Sequence, residues 1–106
     1  MIMRKLNFLI IGKHTQILLT LKRLIEQNEG WTASVLEDED QFQSFMNRIS
    51  VDVILLSSGL SELTEVGIQA YALSVNSNIK VIQHYGGGSG LLKNEIFTLF
   101  PDLIGN

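Results

Sequence analysis

The 106-residue sequence contains no cysteine. That excludes disulfides, thiolate metal sites and cysteine nucleophiles. Proline occurs once, at Pro101, where it stops the last helical stretch. Positive charge is scarce. Eight Lys and Arg face eleven Asp and Glu, for a net charge of −3, so no basic field invites nucleic acid or an anionic membrane surface. No apolar run approaches the roughly 18 residues of a membrane span. The run at 8–11, which follows the two positive charges of the N-terminus, is too short for the core of a signal peptide. These absences predict a cytoplasmic chain that uses neither membrane nor nucleic acid.

Catalytic motifs are absent too. The stretch 86–93, G-G-G-S-G-L-L-K, is neither of the common phosphate-binding patterns G-x-x-x-x-G-K-[ST] and G-x-G-x-x-G. Residues 57–60, S-S-G-L, do not form a nucleophile elbow, and no acid is clearly placed to orient His14 or His84 for acyl transfer. The sequence therefore predicts a chain that is not an enzyme.

What is present is a core. Apolar residues make up 45% of the sequence, enough for one globular domain spanning residues 1–106 and not for two. The organising stretch is 51–58, V-D-V-I-L-L-S-S. A short apolar run rich in β-branched residues and bounded by turn formers reads as a strand buried on both faces. Such strands belong to parallel sheets covered by helices. Function in these sheets sits beyond the C-terminal strand ends, which points to Ser57, Ser58 and Gly59.

The other elements follow in order. Residues 6–11 read as a first strand ended by Gly12. Ile17, Leu18, Leu21, Leu24 and Ile25 share one helix face, with Thr15 as N-cap and Gly30 as stop. Trp31–Leu36 is a second strand. The acidic run 37–40 reads as a solvated helix start in which Asp38 and Gln41 have capping-box spacing. Phe42, Phe45, Met46 and Ile49 form the buried face of a second helix. After the central strand, Leu63, Val66, Ala70 and Leu73 line a third helix, weakened by Gly67 inside it. A fourth strand covers 79–83, a glycine-rich loop 85–90, a last short helix 91–100, and a short fifth strand 102–104. Trp31, Phe42, Phe45, Phe97 and Phe100 read as core or interface residues.

Strand and helix alternate throughout, and right-handed crossovers make this an α/β fold: a doubly wound parallel sheet of flavodoxin-like order 2-1-3-4-5, lacking or shortening the final helix. In that order the first and last helices cover one face. Strands three and four are too apolar to stand in water there. The expectation is that a partner, most simply a second copy in a homodimer, covers that face with help from residues 91–100. A chain cut from a longer protein is the other explanation.

Residues 6–85 resemble a response-regulator receiver domain, of the kind that precedes a DNA-binding module in two-component systems. L-I-I-G-K-H falls where receivers have an apolar strand followed by an acidic pair. I-L-L-T-L-K-R-L-I-E-Q stands as the first helix, D-V-I-L-L-S where receivers read D-V-V-L-L-D, and N-I-K-V-I at the approach to the fourth strand. The resemblance implies a site in which an aspartate accepts phosphate, an acidic pair holds Mg²⁺, and a Ser or Thr and a Lys read the phosphoryl group. Here the acceptor position is Ser57, the acidic pair is Gly12 and Lys13, the hydroxyl position falls at Tyr85, and the Lys has no clear counterpart. Serine forms no acyl phosphate, and a hard cation wants carboxylate oxygens. The resemblance thus implies a degenerate receiver: a protein-interaction module of signalling that takes no phosphate and no cofactor. In one version the Lys13 ammonium fills the metal's place beside Ser57.

A second resemblance is to cobalamin-binding domains of the same sheet order. His14, then Ser58, Gly59 and Leu60, then Gly87 and Gly88 fall at spacings comparable to that family's ligand-binding positions, although the residues that flank the family's His are missing. The loop Gly86, Gly87, Gly88, Ser89 follows a strand and precedes a helix, so its amides can also cradle an anion. An empty loop is the plainer expectation.

Overall fold

A computed structural model describes residues 5–57 and 59–83. Among them the elements run β1 (Leu6–Ile11), α1 (Thr15–Glu26), β2 (Trp31–Leu36), a 3-10 turn (Glu39–Gln41), α2 (Phe42–Arg48), β3 (Val53–Leu56), α3 (Glu62–Val75) and β4 (Lys80–Gln83). All strand pairs are parallel and the sheet order is β2-β1-β3-β4. This is the expected order over the described strands. The helix expected at 91–100, the strand at 102–104 and the shortened end of the fold lie outside the described residues.

The sheet separates two apolar clusters because successive strand residues point to opposite faces. On one face Phe8 and Ile10 of β1, with Val53 and Leu55 of β3, pack under Leu18, Leu21 and Ile25 of α1. Trp31 joins them, its ring tilted against Phe8 at 5.4 Å. On the other face Leu9, Ile11, Ile54 and Leu56 pack under Phe42 and Met46 of α2 and Ile68 and Ala72 of α3. The Phe42 ring meets the half-buried Tyr71 edge-on at 5.7 Å, tying α2 to α3.

The bare sheet face expected beside α1 does not occur. Val53 and Leu55 are 0% exposed and Ile82 is 7% exposed. All three belong to the cluster beneath α1, so that core runs across β3 to β4.

Helix boundaries differ in informative ways. His14, not Thr15, is the N-cap of α1, and it makes no side-chain cap hydrogen bond. Thr15 is the first helical residue, and its hydroxyl donates to the Glu37 carboxylate at 2.6 Å. At the other end α1 stops at Glu26. The Asn28 amide donates to the carbonyls of Leu24 and Ile25 at 3.2 Å each, which satisfies helix-end acceptors. Gly30, with φ of 85°, shapes the entry to β2 rather than ending the helix. Asp38 caps the 3-10 turn by accepting from the Asp40 amide, and α2 begins only at Phe42. Ile49 lies past α2 and is exposed.

The largest correction is the rotation of α3. The stripe Leu63, Val66, Ala70, Leu73 was the expected buried face, yet all four residues are exposed. The inward residues are Glu65, Ile68 and Ala72. The helix is apolar on two sides, so periodicity does not choose between them. The connection chooses: the Ser61 hydroxyl caps the helix by accepting from the Thr64 amide at 3.1 Å, and this start turns Ile68 and Ala72 to the sheet.

Candidate functional site

The C-terminal strand ends bring together Gly12, Lys13, His14, Ser57 and Gly59. Parallel pairing does this directly. The Ser57 amide donates to the Ile11 carbonyl at 2.8 Å and the Gly12 amide to the Leu36 carbonyl at 3.2 Å, so the residues after β1, β2 and β3 form one rim. Ser58, Tyr85, Gly86, Gly87, Gly88 and Ser89 lie outside the described residues.

Ser57 is 1% exposed. Its hydroxyl oxygen has no hydrogen-bond partner. A buried, unpaired hydroxyl forfeits about 1–3 kcal/mol of solvation, and among the described residues Ser57 carries the one buried side-chain polar atom left without a partner.

Lys13 does not fill the gap. Its ammonium donates to the Glu39 carboxylate and to the Glu37 carbonyl at 3.0 Å, on the side of β2. Its stem passes over Gly59. A Cβ built on Gly59 would lie 2.6 Å from Lys13 Cβ and 3.0 Å from Cγ. Gly59 has φ of 97°, a left-handed conformation that glycine adopts without penalty. Glycine is thus required twice, by the turn and by the close approach of Lys13.

The acidic run after β2 is the part of this site that sequence reasoning passed over as a solvated helix start. Glu39 holds Lys13, and Glu37 accepts from Thr15 and, through its carbonyl, from Lys13. The signal was available in the strand order, since β1 and β2 are neighbours with Ile11 opposite Leu36. The hydrogen bond to Glu39, with the field of Asp38 and Asp40 behind it, raises the Lys13 pKa. The same bond lowers that of Glu39. The stabilisation from Glu39 is therefore complete above the ordinary carboxylate range and lost as pH falls through its lowered value. That from Lys13 is complete below the ordinary lysine range and lost as pH rises through its raised value. Both groups reach solvent, so the net effect on folding is small and salt-sensitive. Glu39→Gln should lower the Lys13 pKa, leaving only the weaker field of Asp38 and Asp40 to raise it, read by NMR of the lysine side chains. An unchanged Lys13 titration would mean that the bond does not persist in solution.

These residues do not fit the Mg²⁺ of phosphate-accepting receivers. Gly12 offers no side chain and Lys13 offers a cation. Among the described residues no group of three His, Asp or Glu is placed to hold a metal ion.

His14 is exposed at the start of α1. The space over Gly59, where a cofactor's tail would lie in the cobalamin-type reading, is taken by the Lys13 stem. Elsewhere, a cleft of about 400 Å³ opens between the start of α2 and α3, with Phe42, Ile68, Thr64 and Gly67 among its walls. Gly67 sits in the helix interior, and a Cβ there would meet nothing within 4 Å. An interior helix glycine costs about 1 kcal/mol relative to alanine, and among the described residues no contact requires it. No described helix is long and apolar enough to cross a membrane.

No family model matches the sequence, and no curated protein matches it. A solved structure does. It is the signal receiver domain of an HD domain-containing protein from Pseudomonas fluorescens Pf-5, 12% identical over 97% of this chain and 100% of that chain, with a TM-score of 0.63. The chain has the fold of a receiver domain. At that identity the likeness is one of backbone alone.

Proposed function

We propose that this chain is a receiver-like module of cytoplasmic signal transduction that binds a protein partner without phosphoryl chemistry. The observation that carries the reading is Ser57. A receiver-type backbone ends its central strand in a serine whose hydroxyl is buried and unpaired. A phosphoryl acceptor must meet its donor, whereas this oxygen is closed off from solvent.

Charge supports the same reading. In the places where a divalent cation would need carboxylates the chain has Gly12 and Lys13, and the Lys13 ammonium is tied to Glu39 on the side of β2. With Ser57 closed off and no carboxylate at Gly12 or Lys13, what such a fold offers is surface. Its job is then recognition, set by which faces it leaves apolar and exposed.

The test is incubation of the full chain with acetyl phosphate and Mg²⁺, followed by intact-mass measurement. The expected result is an unmodified chain at every time point. A phosphoryl adduct that forms only with Mg²⁺ and survives as an acyl phosphate would overturn the reading.

A further inference from the structure

We infer that the cleft between α2 and α3 is where this chain holds a protein partner, and that it takes an arginine side chain from a basic segment of that partner. The inference rests on reading the chain as an interaction module, and it gives that module a contact point and its partner a charge.

The cleft comes from the packing of two helices on one face of the sheet. Its volume of about 400 Å³ lies within the roughly 300–1,000 Å³ of ligand clefts. Its floor is core. Phe42 and Ile68 are 3% and 4% exposed, so they are fixed in place whatever the cleft holds. One wall is the half-buried Tyr71, whose hydroxyl donates to the Asn47 side chain on α2 at 3.3 Å. On the same side of α3 the Thr64 hydroxyl accepts from that of Ser61 at 2.8 Å. These walls are set before a ligand arrives, so binding carries little ordering cost.

Gly67 points to an occupant. It lines the cleft, and a Cβ there would meet nothing within 4 Å. Glycine weakens a helix interior. Among the described residues neither a close contact nor a left-handed backbone asks for it. What it does is leave the wall of the cleft open.

Charge selects the occupant. The rim carries the carboxylates of Glu39 and Asp40, and no described Lys, Arg or His lines the cleft. Glu39 is already paired with Lys13. The exposed Asp40 carboxylate enters no ion pair among the described residues. Its backbone is held in the 3-10 turn, where the Asp38 side chain accepts from the Asp40 amide at 2.9 Å. An apolar floor, an aromatic wall and a carboxylate at the rim match a side chain with an apolar stem and a cationic head. Arginine suits all three, because its guanidinium is weakly hydrated, stacks on aromatic rings and pairs in plane with a carboxylate. An acidic side chain would meet Asp40 as a like charge, and a purely apolar one would gain nothing from it. The net charge of −3 favours a basic partner at longer range as well.

Backbone-amide NMR of the full chain, titrated with acetyl-Leu-Arg-Leu-amide, tests this. The expected result is a saturable, millimolar shift of the Gln43, Thr64, Gly67 and Tyr71 amides that weakens as salt is added. Acetyl-Leu-Glu-Leu-amide should bind at least about tenfold more weakly. Gly67→Leu puts a side chain into the open wall. It should weaken binding at least about tenfold while melting no lower than wild type, since leucine is the better helix former. Asp40→Asn should weaken binding about threefold to fivefold, as an exposed ion pair allows. Glu29→Gln removes an exposed acid outside the cleft and should change nothing, which separates a local contact from net charge. No shift of those amides at millimolar arginine peptide, equal binding of the two peptides, or wild-type binding by both Gly67→Leu and Asp40→Asn would each overturn the inference. Shifts of the same amides that follow protein concentration without peptide would assign the cleft to a second copy, and would overturn it too. A chain that binds no peptide and takes no phosphoryl group loses the cleft's role and keeps the proposed function. Phosphoryl transfer removes that function whatever the peptide does.

Discussion

Ser57→Asp, which restores the acceptor residue of ordinary receivers, should destabilise this chain by about 3–4 kcal/mol at pH 7. The position is 1% exposed. A carboxyl group so buried titrates up to 3–5 units above its ordinary value, and each unit corresponds to about 1.4 kcal/mol. Among the described residues nothing offsets the desolvation, because the Lys13 ammonium is committed to Glu39 and Glu37. The sign of the pH dependence follows. The folded pKa lies above the unfolded one, so the penalty is absent below the unfolded value near 4, grows as pH rises past it, and levels off above the folded value. Urea denaturation at pH 4 and pH 7 reads it directly. The variant should approach wild type at the lower pH and fall away at the higher. Ser57→Ala is the contrast. It removes an unpaired hydroxyl without changing the volume much, so it should be neutral or stabilising by about 1 kcal/mol. Equal stability of Ser57→Asp and wild type at pH 7 would mean that a cation reaches the position after all, and the proposed function would fail with it.

Gly59→Ala should cost about 3 kcal/mol. Two terms add. A residue with a side chain is strained at φ of 97°, by about 1–3 kcal/mol. Its Cβ would also sit 2.6 Å from Lys13 Cβ, an atom next to the backbone that cannot swing aside. Relief requires the segment after β1 to move, and that breaks the bond from Lys13 to Glu39. The variant should therefore lose stability and also release the raised Lys13 pKa, whereas a strained turn alone would leave the titration untouched. Lys13→Gly in the same chain should recover the steric part but not the backbone part, a non-additive result that thermal or urea melts can measure. If Gly59→Ala melts like wild type, the Lys13 stem does not lie over the turn as described.

The strands were legible in the sequence, and their order with them. A run such as V-I-L-L, apolar at every position and closed by serine and glycine, fits only a strand covered on both faces. Alternation of such runs with helical spacing points to parallel pairing in a doubly wound sheet, and the flavodoxin-like order expected for it is the one observed over the described strands. The face of α1 was legible through Leu18, Leu21 and Ile25, which are its buried residues, although Ile17 of the expected stripe is 41% exposed. The rotation of α3 was not. Its two apolar stripes have equal claim by periodicity, and the choice fell to the Ser61 cap and the turn through Gly59, which are features of the connection and not of the helix. The burial of Val53, Leu55 and Ile82 on the face beside α1 was likewise not legible; in the fold they join one cluster with the inward residues of α1.

At the strand ends the sequence by itself placed Gly12, Lys13, Ser57 and Gly59 just past their strands. The rim follows from register, and register follows from hydrophobic pattern. It also determined what the rim lacks, because Gly12, Lys13 and Ser57 stand at fixed distances from their strands. Only the tertiary structure decided where the Lys13 ammonium goes. A long flexible side chain on a parallel sheet has neighbours on either side, and the carboxylate of Glu39 after β2 attracts it more strongly than the neutral hydroxyl of Ser57.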